Sequence, residues 1–201
     1  MSTDIVQGTD KWKAIRCGRV TASKIGDAKA GKDTQRYRDY LTQLVLETLT
    51  GKPVEEGFTS KSMEWGTENE PFARIAYEMK TGNMVEQVGF IIHPEIERSG
   101  ASPDGLIDED GMVEIKCPKS STHLDTIITG KIPSEYQYQM LWQMECSGRK
   151  WVDFVSYDPR CPENLKLFVK RFERDEDTIE KIKKSVKDIL KEVDDMILKL
   201  K

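Results

Sequence analysis

Residues 35–50 read QRYRDYLTQLVLETLT, and Tyr37, Tyr40, Leu41, Leu44, Val45, Thr48 and Leu49 recur at helical spacing. That period predicts a helix with one apolar face. Gly51 and Pro53 supply its stop. A second helix is expected over 67–81, TENEPFARIAYEMKT, followed by Gly82. Thr67 stands where an N-cap would, and Glu70 three residues on completes a capping box. The pattern then shortens. Apolar runs at 88–93, 99–107 and 112–117 predict strands, and Asp-Glu-Asp-Gly at 108–111 predicts a turn, so the last two runs should pair as a hairpin. Residues 134–147 read as helix again. Strands are expected over 151–157 and 165–172, on either side of the loop DPRCPEN. Ile179, Ile182, Val186, Ile189, Val193, Met196 or Ile197, and Leu200 form a stripe along a helix from about 176 to 200. Such a stripe suits packing on a sheet or assembly between copies. Helices, strands, a helix, two strands and a helix, in that order, imply an α/β fold with a mixed central sheet.

Composition narrows this picture. A length of 201 residues suffices for one domain with a real core. The chain has no repeat, low-complexity tract or Pro/Gly/Ser-rich linker. It therefore reads as one domain, 1–201, with an N-terminal helical part to about 60, a core over about 61–175 and a C-terminal helix over about 176–200. No run approaches the ~20 consecutive apolar residues of a membrane helix. The start, MSTDIVQGTD, lacks the features of a secretory leader. A cytoplasmic protein with no membrane partner is expected. Cys17, Cys117, Cys146 and Cys161 form no CxxC, and with His93 and His123 they match no zinc spacing. Free thiols are expected.

The net charge of −4 does not suggest a nucleic-acid partner, but its distribution does. Lys11, Lys13, Arg16, Arg19, Lys24, Lys29, Lys32, Arg36 and Arg38 crowd one segment, against Asp27 and Asp33 within it. This suits either a local DNA track or a plain solvated face.

The densest chemistry lies in SPDGLIDEDGMVEIKCP, residues 102–118. Asp104 opens one arm of the expected hairpin. Glu114 and Lys116, two apart on the other arm, face the same side, and Ile115 faces the core. Converging carboxylates repel and favour a cation between them. An all-oxygen set suits magnesium or manganese rather than zinc. A lysine beside them can orient an attacking water, help it deprotonate and offset charge on a phosphorane-like transition state. By spacing alone, a surface hairpin with a Glu–Lys pair fits as well.

The segment resembles the PD-(D/E)xK nuclease signature, with Pro103-Asp104 and Glu114-Ile115-Lys116. More narrowly, the chain is similar to lambda-exonuclease-like and YqaJ-like viral recombinase nucleases. The match runs through Trp12, Arg16 and Thr21-Ala22-Ser23; through Trp65-Gly66-Thr67-Glu68-Asn69-Glu70; through Ser102-Pro103-Asp104-Gly105-Leu106; through Glu114 to Pro118; and through Pro133, Tyr136, Gln139 and Met144. Tyr157-Asp158-Pro159-Arg160 also fits. This resemblance implies a restriction-endonuclease-like core. It implies metal ligands in Asp104, Glu114, the main-chain carbonyl of Ile115, and Glu70 directly or through water. Lys116 would contact the nucleophilic water, and Gln139 would position the group. Glu70 is preferred to Glu68, and Gln139 to Gln137, by their distances from Trp65 and Pro133. Arg16, Ser23 and Ser102 would receive a 5′-phosphate. Thr21-Ala22-Ser23 can open a helix whose free N–H groups favour an anion. Trp12 would either stack on DNA or be buried. The implied activity is a Mg2+-dependent, two-ion, 5′→3′ exonuclease on double-stranded DNA, with Mn2+ as a substitute. It would leave 3′ single strands for phage-type recombination in a bacterial cell. A ring-shaped homotrimer lined by the basic segment, and a single-strand annealing protein as partner, come with it. An endonuclease on the same core and a non-catalytic DNA-end binding module remain the alternatives.

Overall fold

The computed structural model describes residues 5–54 and 61–200. Helix α1 (Asp10–Arg16) is capped by Thr9, whose side chain accepts from the Trp12 N–H. It buries none of its residues, so its sequence carried no apolar period to announce it. Strand β1 (Val20–Thr21) leads through a 3-10 turn at Ala22–Lys24 into the short helix α2 (Ile25–Ala28). The expected helix start at Thr21 is thus one tight turn, with no side-chain cap at Thr21. Helix α3 (Gln35–Thr50) has the expected limits, with Thr34 accepting from Tyr37 N–H and Gly51 left-handed at φ 65.

Helix α4 (Lys61–Thr81) differs from expectation at its start. Thr67 lies well inside it and its hydroxyl donates to the Met63 carbonyl, so Thr67 and Glu70 are not a capping box. Only Asn69, Ala73 and Tyr77 are buried, all after Gly66, so the pattern betrayed only the second half of the helix.

The expected single sheet is two. Strands β2 (Ile91–Ile92) and β3 (Ser99–Ala101) join β1 in the order β1-β3-β2. Strands β4 (Gly105–Ile107), β5 (Gly111–Lys116), β6 (Trp151–Tyr157) and β7 (Leu167–Glu173) form the second sheet in chain order. The break falls at Ser102–Asp104, where Pro103 has no N–H to give a ladder. Mixed character is as expected: β5 and β6 are parallel, and β4 and β7 flank them antiparallel. The hairpin turn places Asp108 at φ 45. Buried Arg149 pins that turn, donating through Nη1 to the carbonyls of Ile107, Asp108 and Gly111 at 3.0, 2.7 and 2.7 Å. Gly105 is required by close approach, since a Cβ there would lie 2.1 Å from Val85 Cγ1.

Helix α5 (Ser120–Thr129) was not visible in the pattern because its inward face is polar. Its buried residues are His123 and Thr126, and the His123 ring bridges Ser156 Oγ at 2.7 Å and the Leu165 carbonyl at 2.8 Å. Helices α6 (Ser134–Ser147) and α7 (Glu176–Leu200) have the expected limits. Ile179, Ile182, Val186, Ile189 and Val193 are fully buried, whereas Leu200 is 65% exposed and falls outside the stripe. The stripe packs mainly on α3, α6 and α2. The core lies between these helices and one face of β5 and β6, with Met112, Phe154 and Trp142 at its centre. A smaller core on the other face joins Val113 and Ile115 to Ala73 and Tyr77 of α4.

Candidate active site

Strand alternation and the two cores together build the site. Ile115 is buried toward α4 as expected, so Glu114 and Lys116 project toward α6. Asp104, just before β4, reaches across the hairpin, and its Oδ2 accepts from the Ile115 N–H at 2.6 Å. Lys116 Nζ lies 2.5 Å from Glu114 Oε1. Gln139 on α6 donates to the same oxygen at 2.5 Å, while Gln137 donates to the Ile132 carbonyl instead.

Glu114 is fully buried and Lys116 partly so. Burial pushes the Asp104 carboxyl well above its usual range, and the charge on Glu114 adds to this. Burial also raises Glu70; the nearby Arg74 guanidinium opposes the shift and Glu114 reinforces it. Burial works against the charge on Lys116, but Glu114 and Asp104 outweigh it and hold the ammonium above the usual lysine range. Glu70 thus belongs to the same electrostatic cluster, while Glu68 is exposed.

One cleft of about 220 Å³ takes in Asp104, Glu114, Lys116 and Gln139 together with Trp12, Arg16, Ser23 and Ser102. Residues from α1, the turn at Ala22–Lys24 and the Ser102 loop thus meet the hairpin and α6 in one place. The Trp12 indole N–H donates to Ser102 Oγ at 2.8 Å, and the Arg16 guanidinium stacks 3.8 Å from the Trp12 ring centre. Trp12 is half-buried. A larger depression of about 600 Å³, between α5, the start of α6 and β7, holds none of these residues. It has the greater volume but no converging acids; the acid–lysine cluster lines the smaller cleft.

Most of the basic segment is paired. Lys13 meets Asp10, Lys24 and Arg36 meet Asp27, and Lys32 meets Glu192. Arg38 and Arg19 donate to backbone carbonyls.

Two site residues escaped the sequence reading. Gln143, fully buried on α6, donates to Glu114 Oε2 at 2.6 Å. Its position four residues after Gln139, one helical turn on the same face, was the available signal. Gln7 lines the cleft and donates to the carbonyls of Val88 and Pro103 at 3.0 and 2.9 Å. Nothing in its neighbourhood of the sequence marked it.

These features define a restriction-endonuclease-like α/β protein whose cleft holds an acidic cluster with a lysine. Residues 11–150 match the model of the YqaJ-like viral recombinase domain, and the chain belongs to that family. It is similar to the crystal structure of an alkaline exonuclease from Laribacter hongkongensis (43% identity, TM-score 0.89, 96% of each chain covered). The same exonuclease in complex with dAMP matches with TM-score 0.90 at the same identity and coverage. A phage-related exonuclease from Haemophilus somnus 129PT shares the fold at 17% identity, with TM-score 0.68 over 91% of this chain and 96% of that one. No curated protein matches at a significant level.

Proposed function

We propose that the protein is a Mg2+-dependent 5′→3′ exonuclease acting on double-stranded DNA. The observation behind this is the shared cleft, in which the acid–lysine cluster faces Arg16, Ser23 and Ser102. The 43% identity to an alkaline exonuclease supports the same reading.

The donor set fits a hard divalent ion. Asp104, Glu114 and Glu70 offer oxygen, and burial together with repulsion from Glu114 disfavours the charged forms of Asp104 and Glu70 unless a cation is added. Among the described residues no three His, Cys, Asp or Glu side chains close a cage by themselves. Magnesium keeps waters and takes phosphate oxygens alongside one or two carboxylates, so its site requires no closed protein cage. Asp104, Glu114 and the Ile115 carbonyl would hold it, with Glu70 directly or through water, and Mn2+ could replace it. When bound, it would polarise the scissile phosphate and acidify a water.

The chain's own groups do the rest. Lys116, held protonated by Glu114 and Asp104, supplies a cation and a donor for the attacking water and for charge developing on phosphate. Gln139 and Gln143 fix both oxygens of Glu114. Arg16 offers a planar fork to a terminal phosphate, and Ser23 and Ser102 add neutral donors. Stacking of Trp12 on Arg16 orients that fork. A ring-shaped homotrimer, a single-strand annealing partner and a cytoplasmic site of action complete the proposal. Among the described residues no helix is long and apolar enough to cross a membrane.

The test uses linear duplexes with 5′-phosphate or 5′-hydroxyl ends and a closed circle, each with magnesium or EDTA. Loss of duplex should need magnesium, run faster from 5′-phosphate, spare the circle, and vanish in Lys116→Ala and Asp104→Asn. Nicking of the circle would replace this reading with an endonuclease. Binding of ends without any cleavage would replace it with a non-catalytic module.

A further inference from the structure

Asp158 and Arg160 take no part in the chemistry above, yet they stand at the same end of the sheet. Strands β5 and β6 run parallel, and Lys116 pairs with Ser156, two residues before Asp158. The Arg160 guanidinium is fixed on several sides. Its Nε and Nη2 donate to Asp158 Oδ1 and Oδ2 at 2.7 and 3.0 Å, and Nη2 reaches the Pro118 carbonyl at 3.4 Å. Its centre lies 4.4 Å from the centre of the Trp65 ring. Pro118 is two residues beyond Lys116, and Trp65 precedes Glu70 by about 7.5 Å along α4.

Asp158 is fully buried, whereas the Arg160 side chain keeps 49% of its exposure. Nη1 makes no hydrogen bond among the described residues. A guanidinium ordered in advance, with one edge open to solvent, loses little entropy when it grips an anion.

Its place relative to the terminal-phosphate pocket gives the direction. Strand β5, with Glu114 and Lys116, lies between β4 and β6. Ser102 and Asp104 lead into β4, and Arg160 follows β6, so the two flank the cluster from opposite sides. A strand whose 5′-phosphate sits with Arg16, Ser23 and Ser102 and whose next linkage lies at the cluster continues toward β6.

We propose that Arg160, clamped by Asp158 on the face of Trp65, binds a backbone phosphate of the degraded strand on the 3′ side of the scissile bond. This rests on reading the Arg16 pocket as the seat of the 5′-phosphate. Arg160 would hold the incoming strand in register without touching the reacting atoms.

The experiment places a single neutral methylphosphonate one or two linkages 3′ of the first scissile bond in a 5′-phosphorylated duplex. In the wild type at least one placement should raise KM about tenfold with little change in kcat, the effect of one charge-assisted hydrogen bond. Arg160→Ala should show a similar rise on the unmodified duplex and no further penalty from the neutral linkage. Arg160→Lys should fall between, and Arg160→Gln, which can still donate to Asp158, should behave like Arg160→Ala if the latter melts early. An unchanged KM in a folded variant, or an equal methylphosphonate penalty in wild type and variant, would overturn the proposal. Failure of the exonuclease reading shows separately, as wild-type indifference to the 5′-phosphate or nicking of a circle. A methylphosphonate penalty that disappears in Arg160→Ala would then still place a phosphate at Arg160.

Discussion

Gln143 Nε2 donates to Glu114 Oε2 at 2.6 Å, while Gln139 and Lys116 hold the other oxygen of the same carboxylate at 2.5 Å each. Both glutamines come from one face of α6, so the position of Glu114 is set by a helix packed in the main core rather than by a loop. This is how a buried carboxylate keeps one orientation with few degrees of freedom.

Replacing Gln143 by Leu leaves Glu114 Oε2 without that donor in a buried place. The expected cost is about 1–3 kcal/mol, or roughly 2–4 °C of melting temperature per kcal/mol for a chain of this size. Gln143→Glu should cost more, because a second carboxylate would face the first. Thermal melts with and without magnesium measure both. A neutral Gln143→Leu would show that Gln139 and Lys116 suffice.

Asp104 titrates above its unfolded value because burial, then Glu114, disfavours its charge. Below about pH 4 the carboxyl is protonated in both states and costs nothing. Above the raised folded value it is ionised in both, and the penalty is complete. Metal-free wild type should therefore lose stability relative to Asp104→Asn as pH rises through that window. In EDTA at neutral pH, Asp104→Asn should melt higher than wild type, and near pH 4 the two should converge. Added magnesium should raise the wild-type melting temperature more than that of the variant.

Asp158 shows the opposite sign. Burial alone would raise it, but hydrogen bonds from Arg160 and Ser120 overcome this and hold it at about 2. Its contribution is present above the unfolded value of about 4 and is lost as pH falls toward 2. With Arg160 half exposed, screening reduces that contribution to about 1–2 kcal/mol. Urea unfolding between pH 5 and 2.5 should show this loss in wild type and not in Asp158→Asn.

The proposed ring is tested by size-exclusion chromatography with light scattering. A trimer is expected, held by surfaces other than the α7 stripe, since Ile179, Ile182, Val186, Ile189 and Val193 are fully buried within one chain. Phe72, Ile75 and Met79, exposed by 60, 52 and 83% along α4, are surfaces whose change to Ser should leave the fold intact. A clean monomer at working concentration would remove the ring from the account.

Periodicity located α3, α6, α7 and the long strands because each buries an apolar face, and burial leaves a repeating trace in the sequence. It missed α1 and α5, whose faces are solvent-exposed or polar, and it began α4 late for the same reason. The chemistry of the site was legible as residue types at short spacing: Glu114 and Lys116 share a face because a strand alternates, whatever surrounds it. Whether Asp104 meets them, whether Arg16 and Ser23 share their cleft, and that Gln143 grips Glu114 depend on contacts between distant segments. Those were settled when Pro103 split the strand run into two sheets, the hairpin closed under Arg149, and α6 laid its glutamines over β5. A sequence determines which groups a local backbone can present together. Only packing decides which separate elements end up close enough for their charges and hydrogen bonds to act on one another.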